Sequence, residues 1–229
     1  MLNILYEDNQ VIVVFKPRGM LSQGDGTKSP DILSILKGYI KEKYNKPGEV
    51  YLGLLHRLDR NTSGVMVFAR TSKAAARLSS DISNHNSFEK YYLAVVEGYL
   101  NNKEEILQDM LYWDEKQKKA FIKKNKDSKE AKLRYNVIKQ ESNKSLLDIT
   151  LYTGRHHQIR CQLSNIGHPI VGDVKYGSKF PMGNFYALTA YKLKFIHPTL
   201  KEEMSFEYID DEIMKFFNRI YWYIKKYSI

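Results

Sequence analysis

His56-Arg57-Leu58-Asp59-Arg60-Asn61-Thr62-Ser63-Gly64 lies between two apolar runs, Val50-Tyr51-Leu52-Gly53-Leu54-Leu55 before it and Val65-Met66-Val67-Phe68-Ala69 after it. Both runs have the length and the β-branched or aromatic content of buried strands, so the reading is strand, polar loop, strand. A loop between buried strands usually carries a short turn of Gly, Asn or Asp. This one packs two arginines, one carboxylate, two hydroxyls and a glycine into nine residues. Asp59 flanked by Arg57 and Arg60 has the composition of a site, although a turn aspartate held by arginines for purely structural reasons has the same letters.

Working outward, Ile4-Leu5-Tyr6 and Val11-Ile12-Val13-Val14-Phe15 read as a hairpin, closed by the turn Lys16-Pro17-Arg18-Gly19. Ile32, Ile35, Leu36, Tyr39 and Ile40 recur at helical spacing over residues 31–44, with Ser29 or Asp31 as cap and Pro47-Gly48 beyond the end. A second helix is expected from Ser72 to about Ser83, with Ala75, Leu78 and Ile82 on one face. Residues 88–100 form a strand on which Phe88, Lys90, Tyr92, Ala94 and Val96 share a face by period two. Residues 102–126 read as short strands and turns. Residues 131–138 and 146–152 read as a strand pair, and residues 185–196 and 204–209 as further strands. Thr153-Gly154 opens a helix with Ile159, Leu163 and Ile166 inward, and a closing helix spans 210–229. Strands arriving in pairs without helical crossovers predict an α+β fold, a mixed, largely antiparallel sheet flanked by helices and loops. The expectation is a single domain, 1–229, with 210–229 as a C-terminal helical extension.

Composition narrows the function. The chain has 229 residues, 43% of them apolar, which is enough for a substantial core. Its net charge is +10, from 36 Lys plus Arg against 26 Asp plus Glu, and favours an anionic partner, nucleic acid being the commonest. With Cys161 the sole cysteine, no disulfide framework or thiolate cluster can form within the chain, and a reducing cytoplasm is the expected setting. No run approaches the ~18 apolar residues of a membrane span, and the first residues lack a signal pattern, so no membrane partner is expected. There is no GxxxxGK[ST], GxGxxG, HExxH or CxxC, which leaves no motif for a nucleotide cofactor or a metal.

Four places could carry chemistry. Asp59 carries a carboxylate, which needs no activating base to serve as nucleophile or electrostatic stabiliser. Lys90 and Tyr92 share a strand face that is otherwise apolar; the residues alone favour an edge lysine that snorkels to water beside a core tyrosine. In Gly154-Arg155-His156-His157-Gln158-Ile159-Arg160, helical geometry puts His156 and Arg160 on one face with Ile159 turned inward. Adjacent His156 and His157 would then diverge by about 100° and make poor joint metal ligands. Finally, residues 115–132 carry eight lysines against three acids, near Trp113, Phe121 and Tyr135. That mixture suits RNA contact, and equally a solvated loop.

These segments together resemble the RluA-type pseudouridine synthases. His56 to Gly64 is similar to that family's HRLDxxTSG signature, Lys16-Pro17-Arg18-Gly19 to its KPxG, and Lys90-Tyr91-Tyr92 to its KxY. Gly154 to Arg160, followed by Gly167-His168-Pro169-Ile170 and Gly172-Asp173, resembles its GRxHQIR and GxPxxGD stretch, all in the family's order over residues 16–173. The resemblance implies a pseudouridine-synthase-like sheet and isomerisation of specific uridines to pseudouridine in an rRNA or tRNA stem-loop, without cofactor or metal. It implies Asp59 as catalytic carboxylate acting at the ribose C1′, by direct attack or by a glycal-type route. Tyr92 would lie against the target base as a candidate for proton transfer, and Arg160 would pair with the aspartate. Arg57, Arg60, Lys90, Arg155, His156 and Gln158 become candidate substrate contacts. Many relatives carry an N-terminal S4 domain; with a first strand at residue 4, none is expected here, and the enzyme is expected to act as a monomer. Two rivals stay in view. One is an inactive RNA-binding protein on the same fold, which would lack Asp59 or Tyr92. The other is a glycoside-cleaving enzyme, which would need a second carboxylate where these motifs offer arginine and tyrosine.

Overall fold

The computed structural model of the chain describes residues 2–83, 87–183 and 185–209. In chain order its first elements are β1 (Asn3–Glu7), β2 (Val11–Lys16), α1 (Ile32–Lys43), β3 (Gly53–Leu54), β4 (Ser63–Ala69), α2 (Ser72–Ser83) and β5 (Glu89–Glu97). There follow β6 (Glu104–Asp114), β7 (Lys119–Ile122), β8 (Lys129–Glu141), β9 (Lys144–Leu151), α3 (Gln158–Asn165), β10 (Leu188–Ile196) and β11 (Glu203–Glu207). The fold is α+β with a mixed, mostly antiparallel sheet. The ladders β1–β2, β2–β4, β5–β9, β8–β9 and β6–β8 are all antiparallel, and parallel pairing is seen in isolated bridges such as Leu21↔Asp31. Among the described residues no helix is long and apolar enough to cross a membrane. The closing helix expected over 210–229 lies outside the described residues.

The chain divides into two compact units, Met1–Glu89 with Ala190–Tyr208, and Lys90–Thr189. In the first unit, β2 and β4 are buried on both faces, which is why their sequences, Val11 to Phe15 and Val65 to Ala69, are unbroken apolar runs rather than alternating ones. Val11, Val13, Val65 and Val67 pack with Leu78 of α2, Phe88 and Phe195. The Asp31 carboxylate accepts the Ser34 N–H at 2.8 Å to start α1, and Lys41 and Lys43 occupy its last turn, where the helix dipole favours cations. Glu7 ties the edge strand down by accepting hydrogen bonds from Tyr39, Lys43 and Tyr44 and from the Arg70 guanidinium.

In the second unit the strands run in the order β5-β9-β8-β6-β7, two hairpins (β6–β7 and β8–β9) joined through the β6–β8 ladder, with β5 on the outer edge of β9. Ala131, Leu111 and Ala120 on its inner face pack against Cys161 of α3 and Tyr176, with Trp113 and Ile122 beside them.

Three expectations need correction. The run before His56 is a strand only at Gly53–Leu54, and Tyr51 is half exposed: β3 pairs with Phe68 and Ala69 at the end of β4, on the edge opposite β2, and the sheet gives that edge to β10. The segment read as short pieces holds an eleven-residue strand, β6, pairing with β7 and β8. α3 starts at Gln158, not at Thr153, because His157 takes a left-handed conformation (φ 53°) that no helix interior accepts.

Candidate active site

In the first unit, Asp59 sits at the start of a tight turn: its carbonyl accepts the Thr62 N–H at 3.0 Å. The turn is braced from below. Lys16 is fully buried at the end of β2, and its ammonium donates to the carbonyls of Met20 (2.8 Å), Pro17 (3.1 Å) and Arg60 (3.2 Å). Three N–H donors thus meet three acceptors. Burial pushes this ammonium down to about 7, while the neighbouring Asp59 charge pulls it back up. The Gly19 N–H also donates to the Arg60 carbonyl, and the Arg60 Nε returns a bond to the Gly19 carbonyl at 3.0 Å. Ser22 closes the other side, its hydroxyl donating to the Leu58 carbonyl and accepting the Leu58 N–H. The Lys16–Gly19 motif and the Asp59 motif are therefore one structure. Arg57 and Arg60 are exposed around a half-buried Asp59.

Ser63 and Gly64 belong to β4 rather than to the turn. Gly64 has φ +148°, and a Cβ there would fall 2.4 Å from the Ala190 carbonyl oxygen, so this glycine is required for strand contact. His56 accepts the Val67 N–H at 3.3 Å and meets the Phe88 ring edge-on.

In the second unit, Tyr92 is buried on β5 (6% exposed), and Lys90 lies two residues before it on the same face. Arg160 is buried on α3. Its Nε and Nη2 reach Asp173 at 2.6 and 2.9 Å, and its guanidinium lies 4.9 Å from the centre of the Tyr176 ring and 4.5 Å from that of Tyr186. A forked ion pair between two aromatic faces fixes an arginine's direction as well as its charge. Gly172 permits this: a Cβ on it would lie 2.5 Å from the Phe185 carbonyl oxygen, so a side chain would push the Tyr186 segment away.

The loop before α3 is organised by Gln158, whose carbonyl accepts from the Thr153 hydroxyl and the Arg155 N–H and whose amide donates to the Lys132 carbonyl. Its side chain is buried and its amide is spent inside the protein. His156 is not on a helical face with Arg160. It lies outside α3, edge-on to Trp113 at 4.7 Å, and His157 meets the same indole at 5.1 Å. The expected divergence of the two histidines fails with the helix start. Arg155 is exposed and anchored by its Nε to the Glu130 carbonyl. The lysine-rich segment is the β6–β7 hairpin, β7 and the start of β8, with Lys123 stacked over Tyr112 and Lys119 over Phe121. Among the described residues no three His, Cys, Asp or Glu side chains converge as a metal would require.

Sequence reasoning quoted Lys16 and Asp173 within motifs but gave neither a role, and it did not single out Tyr176 or Tyr186. Lys16 had a signal, a lone cation ending an apolar strand. The tyrosines had none, being two among seventeen.

The model of the RNA pseudouridylate synthase family matches residues 10–165, which hold Asp59, Tyr92 and Arg160. The chain is 33% identical over 239 residues to an uncharacterised RNA pseudouridine synthase of Aquifex aeolicus, covering 99% of this chain and 74% of that protein. It is 31% identical to the ribosomal large subunit pseudouridine synthase D of Zymomonas mobilis, over 90% of this chain and 68% of the relative. To the tRNA pseudouridine synthase C of Haemophilus influenzae it is also 31% identical, over 97% of this chain and 99% of the relative. In fold it is similar to human RNA Pseudouridylate Synthase Domain Containing 4, with a TM-score of 0.78 at 22% identity over 96% of this chain and 93% of that one. The chain belongs to the RNA pseudouridylate synthase family and to its RluA-type branch.

Proposed function

We propose that this enzyme isomerises specific uridines in a structured rRNA or tRNA, with Asp59 as its catalytic carboxylate. The reaction breaks the C1′–N1 bond, turns the base and forms C1′–C5; the C5 proton is lost and N1 takes one up, so the product is an isomer of the substrate. Nothing in that sequence of bonds calls for an external reductant or nucleotide. Asp59 acts at C1′, Tyr92 serves the base and its proton, and Arg160 is the fixed cation of the site. Arg57, Arg60, Lys90, Arg155 and His156 are proposed to hold the RNA, with residues 115–132 as a further contact. Gln158 we reassign from substrate to the loop, because its amide is already used by Thr153, Arg155 and Lys132. The observation that carries the reading is the Asp59 turn itself: a carboxylate on a backbone fixed by Thr62, Gly19 and the buried Lys16, with two exposed arginines around it.

The target uracil must leave its stack to be reached, at a cost of a few kcal/mol in a duplex and less in a loop. The +10 charge offsets that cost through phosphate contacts. Transcripts of large-subunit rRNA segments and of tRNAs, labelled with tritium at uridine C5, test the reading. Stoichiometric tritium release from a single position in one of them is expected; no release from any would defeat it.

A further inference from the structure

Lys90 on β5 stands opposite Leu151 of β9, directly before the loop that carries Gly154 and Arg155. Its ammonium lies 3.3 Å from where a Cβ on Gly154 would be. Gly154 has an ordinary backbone conformation, so the peptide does not need a glycine there; what the missing side chain does is leave the ammonium open. Arg155 is near enough for its charge to act on Lys90, and its Nε is held by the Glu130 carbonyl at 2.8 Å. Among the described residues no carboxylate or carbonyl takes up the Lys90 ammonium or the Arg155 fork. Burial first, and the Arg155 charge second, push Lys90 down to about 8. Two cations held together without a counter-charge, one of them largely buried, are unfavourable until an anion arrives.

We propose that Lys90, Arg155 and the bare Gly154 peptide bind one backbone phosphate of the RNA substrate. A phosphodiester offers two anionic oxygens, one for a point charge and one for a guanidinium, and its breadth needs the space that Gly154 leaves. Lys90 lies about 7 Å along the strand from Tyr92 on the same face, so the phosphate belongs to a nucleotide adjoining the target uridine. This rests on the RNA reading above and adds to it a position for the chain of phosphates.

The test uses a synthetic stem-loop containing the uridine identified by tritium release, with single phosphates near it replaced in turn by neutral methylphosphonates. Binding is measured against salt. Lys90→Met should weaken binding about tenfold and lower the slope of log affinity against log salt by about 0.7, the share of one single-stranded phosphate. One methylphosphonate should weaken the wild-type enzyme equally and leave Lys90→Met unaffected. Lys90→Arg should restore most of the affinity. Gly154→Ala, which keeps both charges but fills the space, should lose affinity and sensitivity to that same phosphate. If Lys90→Met does not fold, wild type against Gly154→Ala decides the matter by that criterion. The proposal is overturned if Lys90→Met or Gly154→Ala remains as sensitive as wild type to every neutral linkage, or if the salt slope of Lys90→Met is unchanged. Failure of the wild-type enzyme to bind the RNA at any salt would instead overturn the RNA reading itself.

Discussion

Lys16 is the side chain on which the geometry of the Asp59 turn depends, although it is far from the turn in sequence. Its ammonium supplies the only donors described for the Pro17 and Met20 carbonyls and shares that of Arg60 with Gly19. Lys16→Met keeps the volume and strips the donors, and should cost about 2–4 kcal/mol in chemical denaturation, since buried acceptors lose their partners. It also carries a pH signature. Unfolded, Lys16 holds its proton up to its ordinary 10.5; folded, burial lowers this to about 7 despite the pull of Asp59. Unfolding therefore takes up a proton between those values, and this group's contribution to stability rises with pH across the window. The difference in unfolding free energy between wild type and Lys16→Met should widen from pH 7 to pH 9; a constant difference would mean that Lys16 stays charged in the fold.

At the scale of elements, Gly64 joins the signature to the sheet. With a Cβ 2.4 Å from the Ala190 carbonyl and a φ of +148°, Gly64→Ala requires β4 and β10 to separate. An unfolding cost above about 3 kcal/mol is expected, with activity falling alongside folded content in a thermal melt; a variant of wild-type stability would refute this account of the motif's glycine. The sheet's elements were largely legible in sequence. Val11 to Phe15 and Val65 to Ala69 are unbroken apolar runs, and Asp31 with the Ile32, Leu36, Ile40 stripe announces α1. What was not legible depended on single backbone choices or on distant partners. Nothing local says that His157 turns left-handed and delays α3 to Gln158, which moves His156 from Arg160's face to Trp113. The run 50–55 has a strand's composition, yet the edge of β4 that it meets at Phe68 and Ala69 belongs to β10 in the sheet. Likewise Asp173 reads as a turn residue until the fold sets it against Arg160.

For the molecule as a whole, the family membership makes the chain an RNA pseudouridine synthase, and the proposal is that it holds RNA by its phosphates and acts on a uridine with a single carboxylate. Binding and chemistry are separable in that account, because the cations that hold RNA are not the group that reacts. The most direct test compares wild type with Asp59→Asn, which keeps the side chain's shape and removes its charge, on the same RNA. Asp59→Asn should show an unchanged melting temperature, RNA affinity within about threefold of wild type, and tritium release reduced at least about a thousandfold, as expected when a reacting group is lost. Tritium release from Asp59→Asn within tenfold of wild type would contradict it.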